Sequence, residues 1–94
     1  MNNREKLSHL IGLAQRAGKV ISGEELVIKA IQTGKAQFIF LANDAGVNLT
    51  KKTTDKSHYY NVEVSTVFST LELSAALGKP RKVIAIADAG FSKK

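Results

Sequence analysis

Two unbroken apolar runs, Phe38-Ile39-Phe40-Leu41-Ala42 and Val83-Ile84-Ala85-Ile86-Ala87, constrain this chain more than any other feature. Each is short, rich in strand formers and offers no polar face to water. A half-solvated strand alternates apolar with polar residues, whereas a run apolar on both sides reads as a strand covered by helices on both faces. The segments between the runs supply those helices. Leu7, Leu10, Ile11 and Ala14 recur at helical spacing behind a start at Asn2 and Glu5, and Gly18 ends that helix. Residues 19–22 form a short extended piece. Leu26, Val27, Ala30 and Ile31 mark the apolar face of a second helix over about residues 24–33, with Gly34 at its C-terminal end. A polar third helix is expected over about residues 49–59, closed by Tyr59 and Tyr60, and then a strand over about residues 62–68. Ser69 and Glu72 have capping-box spacing before a fourth helix carrying Leu73, Ala76 and Leu77.

Helix and strand alternate throughout, so the class is α/β, a sheet of about four strands sandwiched between helices. The 94 residues suffice for one domain, 1–94, with a modest core. No linker or low-complexity segment divides it. Ala42-Asn43-Asp44-Ala45-Gly46 and Ala87-Asp88-Ala89-Gly90 echo one another after the two apolar strands, as two copies of a common turn rather than a repeat.

Charge narrows the partners. Lys and Arg number 14 against 8 Asp and Glu, for a formal charge of +6, so the surface attracts polyanions. Nucleic acid is the foremost candidate and an anionic membrane surface its competitor. A hydrophobic content of 44% excludes a disordered basic tail. No apolar run is long enough to span a membrane, and the N-terminal residues lack the apolar core of a secretory signal. With no cysteine there is no disulfide framework, and the expectation is a cytoplasmic protein.

The most suggestive constellation is Ser22-Gly23-Glu24-Glu25-Leu26-Val27-Ile28-Lys29, the mouth of the second helix. A helix N-terminus gathers N–H donors and partial positive charge, a natural seat for phosphate. A local reading competes. Ser22 and Glu25 have the spacing of a capping box, and Glu25 with Lys29 that of an i,i+4 ion pair. Gly23 stands apart from both, since glycine there permits a backbone angle denied to other residues or lets another backbone approach. Arg16, Lys19 and Lys29 bracket this mouth in sequence, and Gly78-Lys79-Pro80-Arg81-Lys82 is a short loop presenting three cations, able to grip phosphates. Lys51, Lys52 and Lys56 on the third helix read as a solvated face.

Signals for other chemistry are poor. Aromatic residues are too few for the exposed row that a stacking single-strand binder needs. His9 and His58 lack ligand-spaced partners, and neither a P-loop nor a dinucleotide-binding glycine motif is present. Asp44 and Asp88 each follow an apolar strand and could hold Mg²⁺ there, or could simply serve their turns.

Gly23, Lys29, Ala30 and Gly34, followed by the apolar strand and Ala42-Asn43-Asp44-Ala45, resemble the kink-turn-binding ribosomal proteins, the L-seven-Ae family. Residues 15–25, Gln-Arg-Ala-Gly-Lys-Val-Ile-Ser-Gly-Glu-Glu, and the ending Ala87-Asp88-Ala89-Gly90-Phe91-Ser92-Lys93 are similar to its bacterial YlxQ branch. The resemblance implies a three-layer α-β-α sandwich with a four-stranded mixed sheet. It also implies binding of a bent helix–bulge–helix RNA next to tandem sheared G·A pairs. By that resemblance the second-helix mouth, with Gly23, Glu24, Glu25, Leu26 and Lys29, enters the RNA groove. By the same resemblance Lys79, Pro80, Arg81 and Lys82 cover the bulged nucleotides. From their charge and position, Lys29, Arg16 and Lys19 are expected to hold phosphates, with Ser22 part of the site. The archaeal pattern has asparagine then glutamate where this chain has Glu25 and Leu26. An ionised Glu25 only accepts hydrogen bonds, and Leu26, on the apolar stripe, is assigned to the core. The expectation is a non-enzymatic, monomeric protein that binds kink-turn RNA, ribosomal RNA in particular, with no cofactor, metal or membrane partner. The alternative is a ribosome-associated interaction module without kink-turn affinity of its own.

Overall fold

The computed structural model describes residues 3–87, and eight elements form in the expected order. They are α1 (Asn3–Arg16), β1 (Val20–Ser22), α2 (Glu24–Gln32), β2 (Phe38–Leu41), α3 (Val47–Tyr59), β3 (Glu63–Ser65), α4 (Thr70–Leu77) and β4 (Val83–Ile86). Asn2, Asp88, Phe91 and the remainder of the basic ending lie outside the described residues.

The two apolar runs become the two central strands of a sheet ordered β1-β4-β2-β3. β4 runs antiparallel to both β1 and β2, with Ile21 and Ile39 both opposite Ala85. β3 is parallel to β2, so the sheet is mixed. Side chains alternate across it with the two-residue period of a strand. Phe40, Ile84 and Ile86 turn toward Ile11 and Ala14 of α1 and Leu73 and Leu77 of α4. Ile39, Leu41, Val83 and Ala85 turn toward Val27, Ala30 and Ile31 of α2, with Leu49 of α3 at the margin. The result is a three-layer α-β-α sandwich. Each buried Val, Leu, Ile or Phe contributes about 1.5–3 kcal/mol, which is why both faces of β2 and β4 must be covered.

Two elements differ from expectation. α3 starts at Val47, and beyond Leu49 its inward stripe is polar: Thr53 and Ser57, one turn apart, are buried, and their hydroxyls have no hydrogen-bond partner among the described residues. β3 stops at Ser65, short of the expected strand end, because Asn43 pulls the next stretch off the ladder. Asn43 Nδ2 donates to the Thr66 carbonyl at 3.1 Å, and its backbone N–H donates to the Phe68 carbonyl at 2.9 Å. Phe68 thereby enters the core beside α1 and α4, its ring 5.9 Å from that of Phe40. Among the described residues no helix is long and apolar enough to cross a membrane.

Candidate nucleic-acid interface

The N-cap of α2 is Gly23, with φ 99° and ψ 145°. That region is all but closed to residues with a Cβ, and no neighbour lies within 4 Å of where one would sit. Glycine is therefore required here by the backbone angle and not by a close-packed neighbour. Its position also corrects the expectation of a capping box between Ser22 and Glu25. A capping box joins the N-cap to the third helical residue, but with Gly23 as cap, Ser22 precedes the cap and Glu25 is only the second helical residue. No side chain caps α2. The first helical bond is Val27 N–H to the Gly23 carbonyl at 2.9 Å. The N–H groups of Glu24, Glu25 and Leu26 find no acceptor among the described residues, so the positive end of the helix stands open. Nor do Glu25 and Lys29 form an ion pair with each other among the described residues.

Leu26 is a second correction, for it is 60% exposed rather than core. At about 100° per residue it lies roughly a quarter-turn from the centre of the stripe that buries Val27, Ala30 and Ile31. It lines a groove beside Ile21, Ser22 and Ala30, with Lys29 and Lys35 contributing cations.

Ser22 is used elsewhere. Its Oγ accepts from Arg81 Nε at 3.2 Å, joining the helix mouth to the basic loop 59 residues away in sequence. Arg81 is fixed further: its backbone N–H donates to Ser74 Oγ at 3.1 Å, and Nη1 donates to the Pro80 carbonyl at 2.6 Å. Gly23 N–H donates to the Val83 carbonyl at 3.3 Å, a second tie between mouth and loop. Lys79, Pro80 and Lys82 are exposed around it. Lys52 was not among the expected site residues, yet its Nζ donates to a Glu24 carboxylate oxygen at 2.9 Å and brings α3 alongside the mouth. No local spacing signals that pair, since it spans two helices.

Arg16 and Lys19 are exposed but stand apart. The Lys19 carbonyl accepts from Ala87 N–H at the far end of β4, while Gly23 meets Val83 at the near end. Four residues of extended chain, about 13 Å, separate Lys19 from the mouth. Asp44 is committed to structure. Its Oδ1 accepts from the Thr70 hydroxyl at 2.6 Å and the Thr70 backbone N–H at 2.9 Å. Those bonds, the hydroxyl first, hold its pKa below the ordinary value, and the charge of Lys82 adds to them. The Asp44 carboxylate thus fastens the turn after β2 to the start of α4, and Asp88, its suggested Mg²⁺ partner, lies outside the described residues.

An α-β-α sandwich with an open helix mouth against a cationic loop describes a class of protein, and the sequence identifies it. Residues 5–94 match the Ribosomal protein L7Ae/L30e/S12e/Gadd45 family, and the chain belongs to that family. Within it, the chain is similar to the RNA-binding protein YlxQ of Enterococcus faecium, 54% identical over 92 residues, covering 98% of this chain and 89% of that protein. It is also similar to the RNA-binding protein YlxQ of Bacillus subtilis (strain 168), 48% identical over 86 residues, covering 90% and 86%. The Giardia lamblia 15.5kD RNA binding protein shares the fold, with a TM-score of 0.81 at 19% identity over 94% of this chain and 78% of that one.

Proposed function

We propose that this protein binds structured RNA without catalysing a reaction, and that it recognises a kink-turn-like bend, in ribosomal RNA above all. The observation that carries this reading is the Arg81–Ser22 hydrogen bond, which sets the uncapped mouth of α2 and the loop of Lys79, Pro80, Arg81 and Lys82 on one surface. The N–H groups of Glu24 and Glu25 face a phosphate or base edge across the open space over Gly23. Glu25, free of any capping duty, accepts from a base amino group. Lys29 holds a phosphate on one strand, the loop clamps the other, and Arg16 and Lys19 take phosphates further along the backbone. Binding the bent RNA better than the extended form shifts the population toward the bend. In this reading the chain acts as a cytoplasmic monomer, and its membership of a family with relatives named RNA-binding proteins supports the RNA partner.

The test is a titration of a kink-turn duplex against the same duplex with its G·A pairs made Watson–Crick. The kink-turn should bind more tightly, and equal affinity would leave only general polyanion binding. Lys29→Ala should weaken binding and reduce the slope of log affinity against log salt by about one. An unchanged slope would remove Lys29 from the interface.

A further inference from the structure

Lys52, Lys56 and Tyr59 lie at i, i+4 and i+7 on α3, so they share one face over about 10 Å of helix. Lys52 is bonded to Glu24, and so the near end of this face touches the candidate RNA mouth. The far end carries the exposed rings of Tyr59 (77%) and Tyr60 (40%). Their centroids are 4.9 Å apart at an interplanar angle of 78°, so each braces the other edge to face. Lys52, Asp55, Lys56, Tyr59 and Tyr60 line one depression of about 430 Å³. Two exposed rings are no use to a folded core, and the neighbouring cations attract a backbone of phosphates. Aromatic faces beside lysines are the elements that hold an unpaired nucleotide, by stacking its base and pairing its phosphate. One tyrosine pair is a foothold for a single base, not the row a single-strand binder needs.

We infer that this face takes an unpaired nucleotide of the RNA strand leaving the bent element, its base stacked on Tyr59 and its phosphate held by Lys52 and Lys56. The inference rests on the RNA-binding reading above. It extends the interface from the mouth of α2 along α3, and it predicts that the preferred target carries a single-stranded flank.

The chain has two tyrosines and no tryptophan, so emission excited beyond the phenylalanine absorption band comes entirely from this patch. The experiment titrates the intact protein with a blunt kink-turn duplex and with the same duplex carrying a four-nucleotide overhang at each strand end in turn. Free N-acetyl-tyrosinamide corrects for absorption by the RNA. One overhang should raise affinity at least about fivefold and quench the tyrosine emission beyond the blunt duplex. Tyr59→Ala should lose the affinity gain while leaving blunt-duplex affinity within about twofold. Tyr59→Phe should keep the gain, since the ring stacks without its hydroxyl. If no overhang raises affinity, or if Tyr59→Ala retains the full gain, the inference is overturned while kink-turn binding stands. If the blunt kink-turn is not bound at all, the underlying reading falls and this one with it.

Discussion

α2 and α4 are preceded by the same signature, a serine followed three residues later by a glutamate, yet only α4 is closed. At α4 the N-cap is Ser69 itself. Its Oγ accepts from Glu72 N–H at 3.2 Å, and Glu72 Oε1 accepts from Ser69 N–H at 2.8 Å. Asp44 takes the N–H of Thr70 as a third acceptor, and Arg4 pairs with Glu72 from outside. At α2 the glycine between serine and first helical residue moves the cap by one place. Ser22 then serves Arg81, and no side chain caps the first N–H groups of α2. One helix start is closed by its own side chains, and the other is left without a side-chain cap. A one-residue shift in capping register separates them.

The largest expected effect strikes the glycine. Gly23→Ala should cost about 1–3 kcal/mol of stability, measured by urea unfolding, because alanine is forced into the glycine-only region. A loss below about 0.5 kcal/mol would mean that the mouth had re-registered, with Ser22 becoming the cap and the two helix starts becoming alike. The paired serines come next. Ser69→Ala should cost about 0.5–2 kcal/mol, and Ser22→Ala less than about 0.5 kcal/mol, since only the first hydroxyl caps a helix. Equal losses would erase the distinction between the two ends.

The fold was legible in the sequence because its cues are local and repeated. The two apolar runs located the central strands, the stripes of α1 and α2 located their buried faces, and Ser69 with Glu72 located a cap that does form. The site was legible in its segments but not in its wiring. Ser22 and Glu25 carried a true local signature that Gly23 put out of register, and only the cap geometry reveals it. Leu26 could have been removed from the core by its angle on the helical wheel. The Lys52–Glu24 and Arg81–Ser22 bonds join segments far apart in sequence, so no spacing announces them. Thr53 and Ser57 escaped because hydroxyl side chains read as a solvated face, although α3 turns them inward.

Acid should act on the closed end. The Glu72 pKa lies below its ordinary 4.5, chiefly through the Ser69 N–H and then Arg4, and that of Asp44 lies below 3.8 through Thr70. A carboxylate depressed on folding contributes stability that is present above its unfolded pKa and lost as pH falls through the folded one. Unfolding midpoints should therefore hold near neutrality and fall as pH drops below about 4.5 and then 3.8. Glu72→Gln and Asp44→Asn should each flatten that fall while lowering the midpoint at pH 7. A fall of undiminished steepness in the double variant would place the acid-sensitive groups elsewhere.

The smallest effect separates the two glutamates most directly. Glu25 holds no capping bond, so replacing its carboxylate by an amide of the same shape removes a charge near a helix N-terminus and little else. Glu25→Gln should shift stability by no more than about 0.5 kcal/mol, whereas Glu72→Gln removes a charged cap and an ion partner and should shift it further in the same unfolding assay. On RNA the order reverses. Glu72 stands at the other helix start, and its variant should bind as the parent does. Glu25→Gln gains a donor and loses a charge at the proposed groove, so overall affinity should rise while discrimination between sheared G·A and Watson–Crick pairs changes. If instead Glu25→Gln costs as much stability as Glu72→Gln and leaves discrimination intact, then the mouth of α2 is closed in solution and its glutamate is a cap after all.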